Sequence, residues 1–192
     1  YFMKAIGFGS DGSFSWEDLS ARYTAELANG FGNLASRTVA MISRYFDGAI
    51  PAASGEETAD KQVQRVASEA VSGAESAMDR VAIHEAIAST WKLVDELNNY
   101  ITTQEPWVLA KDESTRERLG TVLYTAIEGL RVLAVLLAPV MPKACEKLWD
   151  AIGASLGDLS SQSVSSAGKW GQLAAGTQIS ELEALFPRVE EK

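Results

Sequence analysis

The sequence predicts an all-α protein: an antiparallel helix bundle of four to five helices, with a short N-terminal extended segment and a C-terminal docking tail. Three observations support this prediction. Apolar residues recur at helical spacing through most of the chain, prolines stand where these patterns end, and short links separate them. Amphipathic helices joined in this way bury their apolar faces against one another in a bundle.

The N-terminal segment is the one predicted extended part. Residues 1–13 begin with a strand-like pattern and end in the predicted turn Gly9-Ser10-Asp11-Gly12. Ser15 is a candidate N-cap residue, with Asp18 at the position of the usual Glu or Gln of a capping box. A helix is therefore expected to begin at Trp16.

The first predicted helix runs from Trp16 to Phe46 and has one continuous apolar face. That face comprises Leu27, Phe31, Leu34, Thr38, Met41, Ile42 and Tyr45. Gly30 and Gly32 weaken a helix by up to about 1 kcal/mol each relative to alanine. They are expected to mark a kink or a place where a ligand approaches the backbone.

Four further helices follow a polar connection at residues 47–60. Their predicted ranges are Asp60–Met78, Ala82–Thr103, Ser114–Leu137 and a helix from Pro142 through Trp149 to Ile152. Pro106 cannot continue the helix before it, so Trp107 is expected in the loop or first turn that follows. Pro139 and Pro142 break the fourth helix, and Pro142 suits the first position of the fifth.

The C-terminal region has a different composition. Residues 153–176 are rich in Ser and Gly without periodicity, which predicts a long surface loop. The tail from Ile179 to Arg188 ends with an apolar set, Leu182, Leu185 and Phe186, that is expected to dock on the bundle.

Composition limits the class of protein. A chain of 192 residues fits one large domain. The single Cys145 cannot form an internal disulfide, which favours a reducing, cytoplasmic setting. No apolar run reaches the roughly 20 residues needed to span a bilayer, so no membrane association is expected. The chain begins at Tyr1 without an initiator Met and is expected to be an excised or processed piece.

The net charge of −9 argues against a general nucleic-acid binder, and no DNA partner is expected. The charge is nevertheless unevenly distributed. Residues 27–46 contain no Asp or Glu but include Arg37 and Arg44, which permits a local RNA contact. Acidic residues collect at Glu56-Glu57, at Asp60 and in the tail, where solvated charge is expected.

The sequence offers no catalytic or metal-ligating set. His84 is the single histidine, which excludes a histidine triad or a multi-histidine metal site, and a surface position is expected for it. Cys145 is expected in the core. The Gly-Phe-Gly runs lack the further glycine and lysine of phosphate-binding loops, so no cofactor is predicted for this chain.

One polar helix face remains as a candidate binding surface. Asn29, Asn33 and Arg37 are spaced four apart, so they project from one face, roughly opposite the apolar stripe. Judged from spacing alone, a polar helix face of this kind is more often simply exposed to solvent than used to bind a ligand. Amides and a guanidinium suit the Watson–Crick edge of an unstacked base, and an indole such as Trp107 suits its face. Trp91 and Trp149 lie on apolar stripes and are expected in the core.

Three stretches, in order along the chain, resemble one known family. They are Phe14-Ser15-Trp16 with Leu27-Ala28-Asn29 and Asn33-Leu34-Ala35-Ser36-Arg37; Asn98-Asn99-Tyr100-Ile101 with Glu105-Pro106-Trp107; and Ala138-Pro139-Val140-Met141-Pro142 with Leu185-Phe186-Pro187-Arg188. The chain resembles the C-terminal helical anticodon-binding domain of methionyl-tRNA synthetases, which are class I aminoacyl-tRNA synthetases. Residues 52–80 and 150–176 do not contribute to the resemblance.

The resemblance implies tRNA anticodon recognition. Residues matching Asn33 and Arg37 contact the first base of the CAU anticodon in that family, the match to Asn29 lies alongside, and Pro106 sets Trp107 for base stacking. The implied partners are tRNA(Met), through its anticodon, and a catalytic domain of the same enzyme. The implied location is the cytoplasm, where protein biosynthesis takes place.

The resemblance also divides the chain and limits its chemistry. Residues 1–13 would end the segment connecting to a catalytic domain absent from this chain, 14–152 would form the anticodon-binding bundle, and 153–192 would pack on it as loop and tail. ATP and Mg belong to the parent methionine–tRNA ligase. The family's His-Ile-Gly-His and Lys-Met-Ser-Lys-Ser runs are absent here, so this chain alone is expected to be inactive.

Two alternatives remain open. The chain could be the anticodon domain of another class I synthetase, for isoleucine, valine, leucine or cysteine. It could instead be a helical protein-interaction module with Phe2, Phe8, Phe14 or the 182–186 tail as its contact, which the acidic balance favours.

Overall fold

The structure is a computed structural model that describes residues 1–7, 9, 11–153 and 157–187. It confirms the all-α prediction. Within these described ranges there is no β-strand, and the extended backbone pairs at one isolated antiparallel bridge between Ala49 and Gln178.

Nine α-helices, one π-helical segment and two 3-10 turns are found in the described residues. The α-helices are α1 (Phe2–Ala5), α2 (Trp16–Arg22), α3 (Asn33–Tyr45), α4 (Thr58–Asp79), α5 (Ile83–Gln104), α6 (Pro106–Leu109), α7 (Arg116–Leu137), α8 (Pro142–Ala151) and α9 (Val164–Ala167). The π-helical segment is Tyr23–Gly32, and the 3-10 turns are Glu113–Thr115 and Leu159–Ser161.

The predicted first helix is real but is not a uniform α-helix. Ser15 caps its start by accepting a hydrogen bond from the Asp18 amide at 3.2 Å. Between α2 and α3 the chain adopts the π-helical segment, so Gly30 and Gly32 lie within a changed helical repeat rather than at a simple kink. Period-based reasoning assumes 3.6 residues per turn throughout and cannot detect such a change.

Helix α7 is the centre of the bundle. Its side chains are buried on nearly all sides, and it contacts α3, α4, α5 and α8. By length and composition, Glu113–Leu137 would suffice to cross a membrane, but 94% of its most apolar window is buried inside the protein. Its apolar character is therefore that of a core helix.

The prediction that residues 1–13 are extended was wrong for residues 2–5, whereas Ile6 directly after them has extended backbone angles of φ −124° and ψ 125°. Residues 2–5 form α1, which packs on α5. The Lys4 ammonium lies 2.5 Å from the Glu26 carboxylate and 4.2 Å from the centroid of the Trp91 ring. The Tyr1 hydroxyl donates to Asp18 at 2.7 Å. These tertiary contacts override the strand-like local pattern. Ser10, within the predicted turn, lies outside the described residues.

Residues 157–176, which belong to the predicted surface loop, pack in part on the bundle. Leu159 of the 3-10 turn, Ala167 of helix α9 and Leu173 after that helix are all buried against the bundle. Glu128 and Arg131 of α7 hold this region. Glu128 accepts the amides of residues 171–173, and Arg131 donates to the carbonyls of residues 167 and 169. We call this arrangement the α7 latch.

The C-terminal tail packs next to the π-helical segment. Leu185 is buried, and the Phe186 ring centroid lies 6.3 Å from that of Tyr23 and 6.1 Å from that of Phe31. The Tyr23 hydroxyl donates to the Pro187 carbonyl at 2.8 Å. Arg188, the last residue of the predicted tail, lies outside the described residues.

Candidate nucleic-acid interface

The polar face begins where the π-helical segment passes into α3. Asn29 lies in the segment, Asn33 is the first residue of α3, and Arg37 follows one turn later. Asn29 and Asn33 are exposed and Arg37 is half-buried. Among the described residues, neither asparagine side chain makes a hydrogen bond, so their amide groups can bind a ligand.

Trp107 is positioned by a sharp change of chain direction. Helix α5 ends at Gln104, and Glu105 adopts a left-handed conformation with φ 45° and ψ 56°. Buried Pro106 then starts α6 at its first position, where a missing amide costs nothing. Trp107 is thus in the first turn after α5, half-buried, with part of its ring against the core.

The bundle brings Arg37 and Trp107 together although they are 70 positions apart in sequence. The guanidinium carbon of Arg37 lies 5.5 Å from the centroid of the Trp107 ring. At this distance a cation is attracted to the electron-rich face of an indole. The two predicted side chains therefore form one surface, which we call the Arg37–Trp107 platform.

An open pocket of about 210 Å³ lies beside the two asparagines. One wall is helical and includes Asn29, Asn33 and Ser36, and the other is the tail at residues 184–187. The tail fits here because residue 32 is glycine. A Cβ at Gly32 would lie 3.1 Å from the Phe186 ring and 3.0 Å from the Leu27 carbonyl oxygen. Gly32 therefore serves tail packing, an explanation that the sequence prediction did not include.

The expectation of solvated charge at Asp60 was wrong. Asp60 is 0% exposed. It is paired with Arg118 and accepts a short hydrogen bond from the Tyr100 hydroxyl. Burial raises the pKa of Asp60, but hydrogen bonds from Arg118, Tyr100 and the Glu57 amide outweigh burial and hold the pKa below its usual range. Partners 40 and 58 positions away in sequence neutralise this charge, so local charge density could not reveal it.

Two other side chains considered in the sequence are Cys145 and His84. Cys145 is buried, and burial raises the pKa of its thiol to about 12, so the thiolate is not available at neutral pH. His84 lies near the start of α5. In the described part of the chain, no group of three or more His, Cys, Asp or Glu side chains could hold a metal ion.

Comparison with known proteins gives a consistent result. The family model for the anticodon binding domain of methionyl tRNA ligase matches residues 50–192. The matched range includes Pro106 and Trp107, whereas Asn29, Asn33 and Arg37 lie before it. Methionine–tRNA ligase of Streptomyces coelicolor is 49% identical over 197 residues, an alignment covering 100% of this chain and 37% of that protein. The Bacillus subtilis enzyme is 41% identical over 191 residues, covering 99% and 28% respectively.

Solved structures show the same likeness in three dimensions. The apo form of Mycobacterium tuberculosis methionyl-tRNA synthetase superposes with a TM-score of 0.92 at 32% identity, covering 100% of this chain and 38% of that one. The methionyl-adenylate-bound form gives a TM-score of 0.89 at 32% identity, covering 97% and 37% respectively. This chain thus spans well under half the length of these relatives, and it belongs to the family of anticodon-binding domains of methionyl-tRNA ligases.

Proposed function

We propose that this chain recognises the CAU anticodon of tRNA(Met) through Asn29, Asn33, Arg37, Pro106 and Trp107. The single observation that carries the proposal is the Arg37–Trp107 platform, in which a guanidinium lies 5.5 Å from the centre of an indole ring. The guanidinium lies over the ring, so a base that stacks on that face has to displace it, and the displaced guanidinium can then donate to the Watson–Crick edge of the base.

The chemistry of the side chains suits cytosine as the first anticodon base. Arg37 can donate to the carbonyl oxygen and ring nitrogen of cytosine, and Asn33 can accept from its amino group. Guanine presents an N–H donor where cytosine presents its acceptor ring nitrogen, so guanine would leave an Arg37 donor unpaired in a partly desolvated site, which costs more than a weak contact gains. Asn29 lies alongside, on the pocket bounded by the tail.

The proposal extends to a larger enzyme. Relatives of this chain are methionine–tRNA ligases, and a solved neighbour binds methionyl-adenylate. We infer that this chain holds tRNA for ATP-dependent methionylation by a catalytic domain and does not itself carry out adenylation. Its single histidine and its missing signature runs support that division of labour. A cytoplasmic location is part of the same proposal.

A titration with RNA hairpins tests this function. One hairpin carries a CAU anticodon loop, and a second has guanine in place of the first cytosine. The purified chain is expected to bind the CAU hairpin more tightly, and Arg37→Ala is expected to remove the difference. Arg65→Ala is a matched control, because Arg65 is an exposed arginine of α4 in an ordinary surface ion pair with Glu69.

Equal binding of both hairpins, or an Arg37→Ala variant that still discriminates between them, would contradict the proposal. Loss of discrimination in the Arg65→Ala variant would indicate a general charge effect rather than base recognition.

A second candidate function, protein interaction, is favoured by one observation. Four large apolar side chains near the N-terminus are exposed: Phe2, Met3, Phe14 and Trp16. Such patches are typical of contact surfaces. The tail is less suited to this role because Leu185 is already buried in the bundle, and Phe8 lies outside the described residues. This function would gain support if neither hairpin bound.

A further inference from the structure

The turn that carries Trp107 is joined to a buried charge through the side chain of Gln104. Gln104 is the last residue of α5, three positions before Trp107. Its side-chain carbonyl oxygen accepts a hydrogen bond from the Arg118 Nη2 group at 2.7 Å. Arg118 belongs to the first turns of α7, so this bond links the end of α5 to the central helix.

Arg118 is itself held in place. Its Nη1 and Nη2 groups donate to the two carboxylate oxygens of Asp60 at 2.5 and 3.0 Å. Asp60 is also bound by the Tyr100 hydroxyl and by the Glu57 amide, the latter at 2.7 Å. A planar guanidinium with this two-point contact has little rotational freedom. The Nη2 group that reaches Gln104 is therefore held in one direction.

The far end of the same turn is held by the residue that precedes α7. The Thr115 hydroxyl lies 2.6 Å from the Leu109 carbonyl oxygen and 2.7 Å from the Asp112 carbonyl oxygen, so its one proton is shared between these two acceptors. Helix α6 is thus fastened at its entry through Gln104 and at its exit through Leu109, in both cases by the start of α7. Between these two points stands Trp107, whose ring is the proposed stacking surface.

The geometry points to Arg118, with Asp60 and Gln104, as a set of positioning residues for Trp107. This inference rests on the proposed function and deepens it. The set holds the indole beside Arg37 before RNA binds, so the side chain need not be ordered at the moment of binding. Preorganisation of this kind improves affinity without adding a contact to the ligand.

A purely structural role predicts something different. If the set only stabilised the bundle, weakening it would lower the melting temperature and leave the Trp107 environment unchanged in the folded protein. Gln104 separates the two roles, because replacing it leaves the Asp60–Arg118 pair intact. Gln104→Met removes the acceptor at similar length, and Gln104→Glu keeps an acceptor for Arg118.

The experiment uses the whole chain labelled with 5-fluorotryptophan and observed by fluorine NMR. The five tryptophans give separate probes, and Trp107→Phe assigns the signal of interest. Gln104→Met is expected to shift or broaden the Trp107 signal while the other four keep their positions. Gln104→Glu is expected to restore the Trp107 signal.

Hairpin binding supplies the functional arm. Gln104→Met is expected to weaken binding of the CAU hairpin by about 2- to 10-fold, which corresponds to ordering one side chain on binding. A Trp107 signal unchanged by Gln104→Met would overturn the inference, and so would unchanged affinity in a wild-type chain that binds. If the wild-type chain binds no hairpin, the proposed function fails, while the fluorine spectra still decide whether Gln104 positions the indole.

Discussion

Two ion pairs with buried carboxylates lie along α7 and hold different parts of the molecule. The pair at the start, Asp60–Arg118, joins α4, α5 and α7 and reaches the turn that carries Trp107. Ten residues further on, about 15 Å along the helix, the α7 latch fastens the region that follows α8. Both pairs satisfy their charges with additional hydrogen bonds. The difference is that the first pair is linked, through Gln104, to the turn that carries Trp107. Weakening the first pair is therefore expected to change RNA affinity, and weakening the second is expected to change stability alone.

The largest effect is expected from a substitution that breaks the α7 latch. Glu128→Ala leaves the Arg131 charge buried and removes the acceptor for three backbone amides. Removing one partner of a buried pair costs about 3–5 kcal/mol, and this loss is expected in the free energy of unfolding measured in urea. Hairpin affinity is expected to stay unchanged under conditions where the variant is folded.

Glu117→Ala is the control for this variant, because Glu117 is exposed on the same helix. A loss of unfolding free energy below about 1 kcal/mol in Glu128→Ala would contradict this prediction. A clear fall in the hairpin affinity of this variant would contradict it as well.

The next effect concerns Asp60. Asp60→Asn removes the charge of a side chain that accepts four hydrogen bonds, so a loss of about 1.5–3 kcal/mol at neutral pH is expected. Burial raises the pKa of Asp60 and its hydrogen bonds outweigh burial, so its folded pKa lies below the unfolded value of about 3.9. The stability that it contributes is present above that value and is lost as the pH falls through the folded pKa.

Urea unfolding of wild type and Asp60→Asn from pH 7 to pH 3 tests this pH dependence. The difference between the two proteins should shrink as the solution becomes acidic. Asp79→Asn, an exposed site at the end of the same helix, serves as control. A difference that stays constant down to pH 3 would contradict the assignment.

A third comparison uses two half-buried tryptophans, one in each region. Trp107→Ala is expected to weaken hairpin binding by about 1–3 kcal/mol because a stacking surface is lost. Trp170→Ala, beside the α7 latch, should lower thermal stability and leave affinity unchanged. Both variants are expected to remain folded, with helical content checked by circular dichroism. Equal effects of the two substitutions on affinity would contradict a stacking role for Trp107.

The smallest expected effect concerns the residue with a positive φ in each of the two regions. The turn held by Arg118 uses Glu105 at φ 45°, whereas the region held by the α7 latch uses Gly171 at φ 80°. Glu105→Gly relieves the left-handed strain but gains freedom in the unfolded chain, so stability is expected to change by less than about 1 kcal/mol. Gly171→Ala should cost about 1–2 kcal/mol. Thermal unfolding that shows the reverse order would contradict this comparison.

The ends of the long helices were predictable from local chemistry. Observed starts and ends fall within about two residues of the predicted ones because Ser15, Pro106 and Pro142 act on their immediate neighbours. The extended prediction for the N-terminus failed where the partners are distant, since Lys4 binds Glu26 and Trp91. The burial of Asp60, Glu128 and Arg131 was missed for the same reason.

The candidate interface was likewise predictable from the sequence only in part. Spacing indicated that Asn29, Asn33 and Arg37 share a face, and family resemblance indicated their use and that of Trp107. Neither could indicate that Arg37 lies against the Trp107 ring, because that contact depends on how α3 and α6 pack. Nor could spacing reveal Gln104 as a link to Arg118. The RNA-binding role of all these residues stays a prediction.

The direction in which the Asn33–Arg37 face points depends on the number of residues in the π-helical segment before it. In an α-helix each residue turns the chain by about 100°, so one residue more or fewer between α2 and α3 would swing that face by about a quarter of a circle. The length of Tyr23–Gly32 therefore sets the angle between the N-terminal contacts and the polar face. Variation in its length would re-aim the surface while every side chain on it stayed the same.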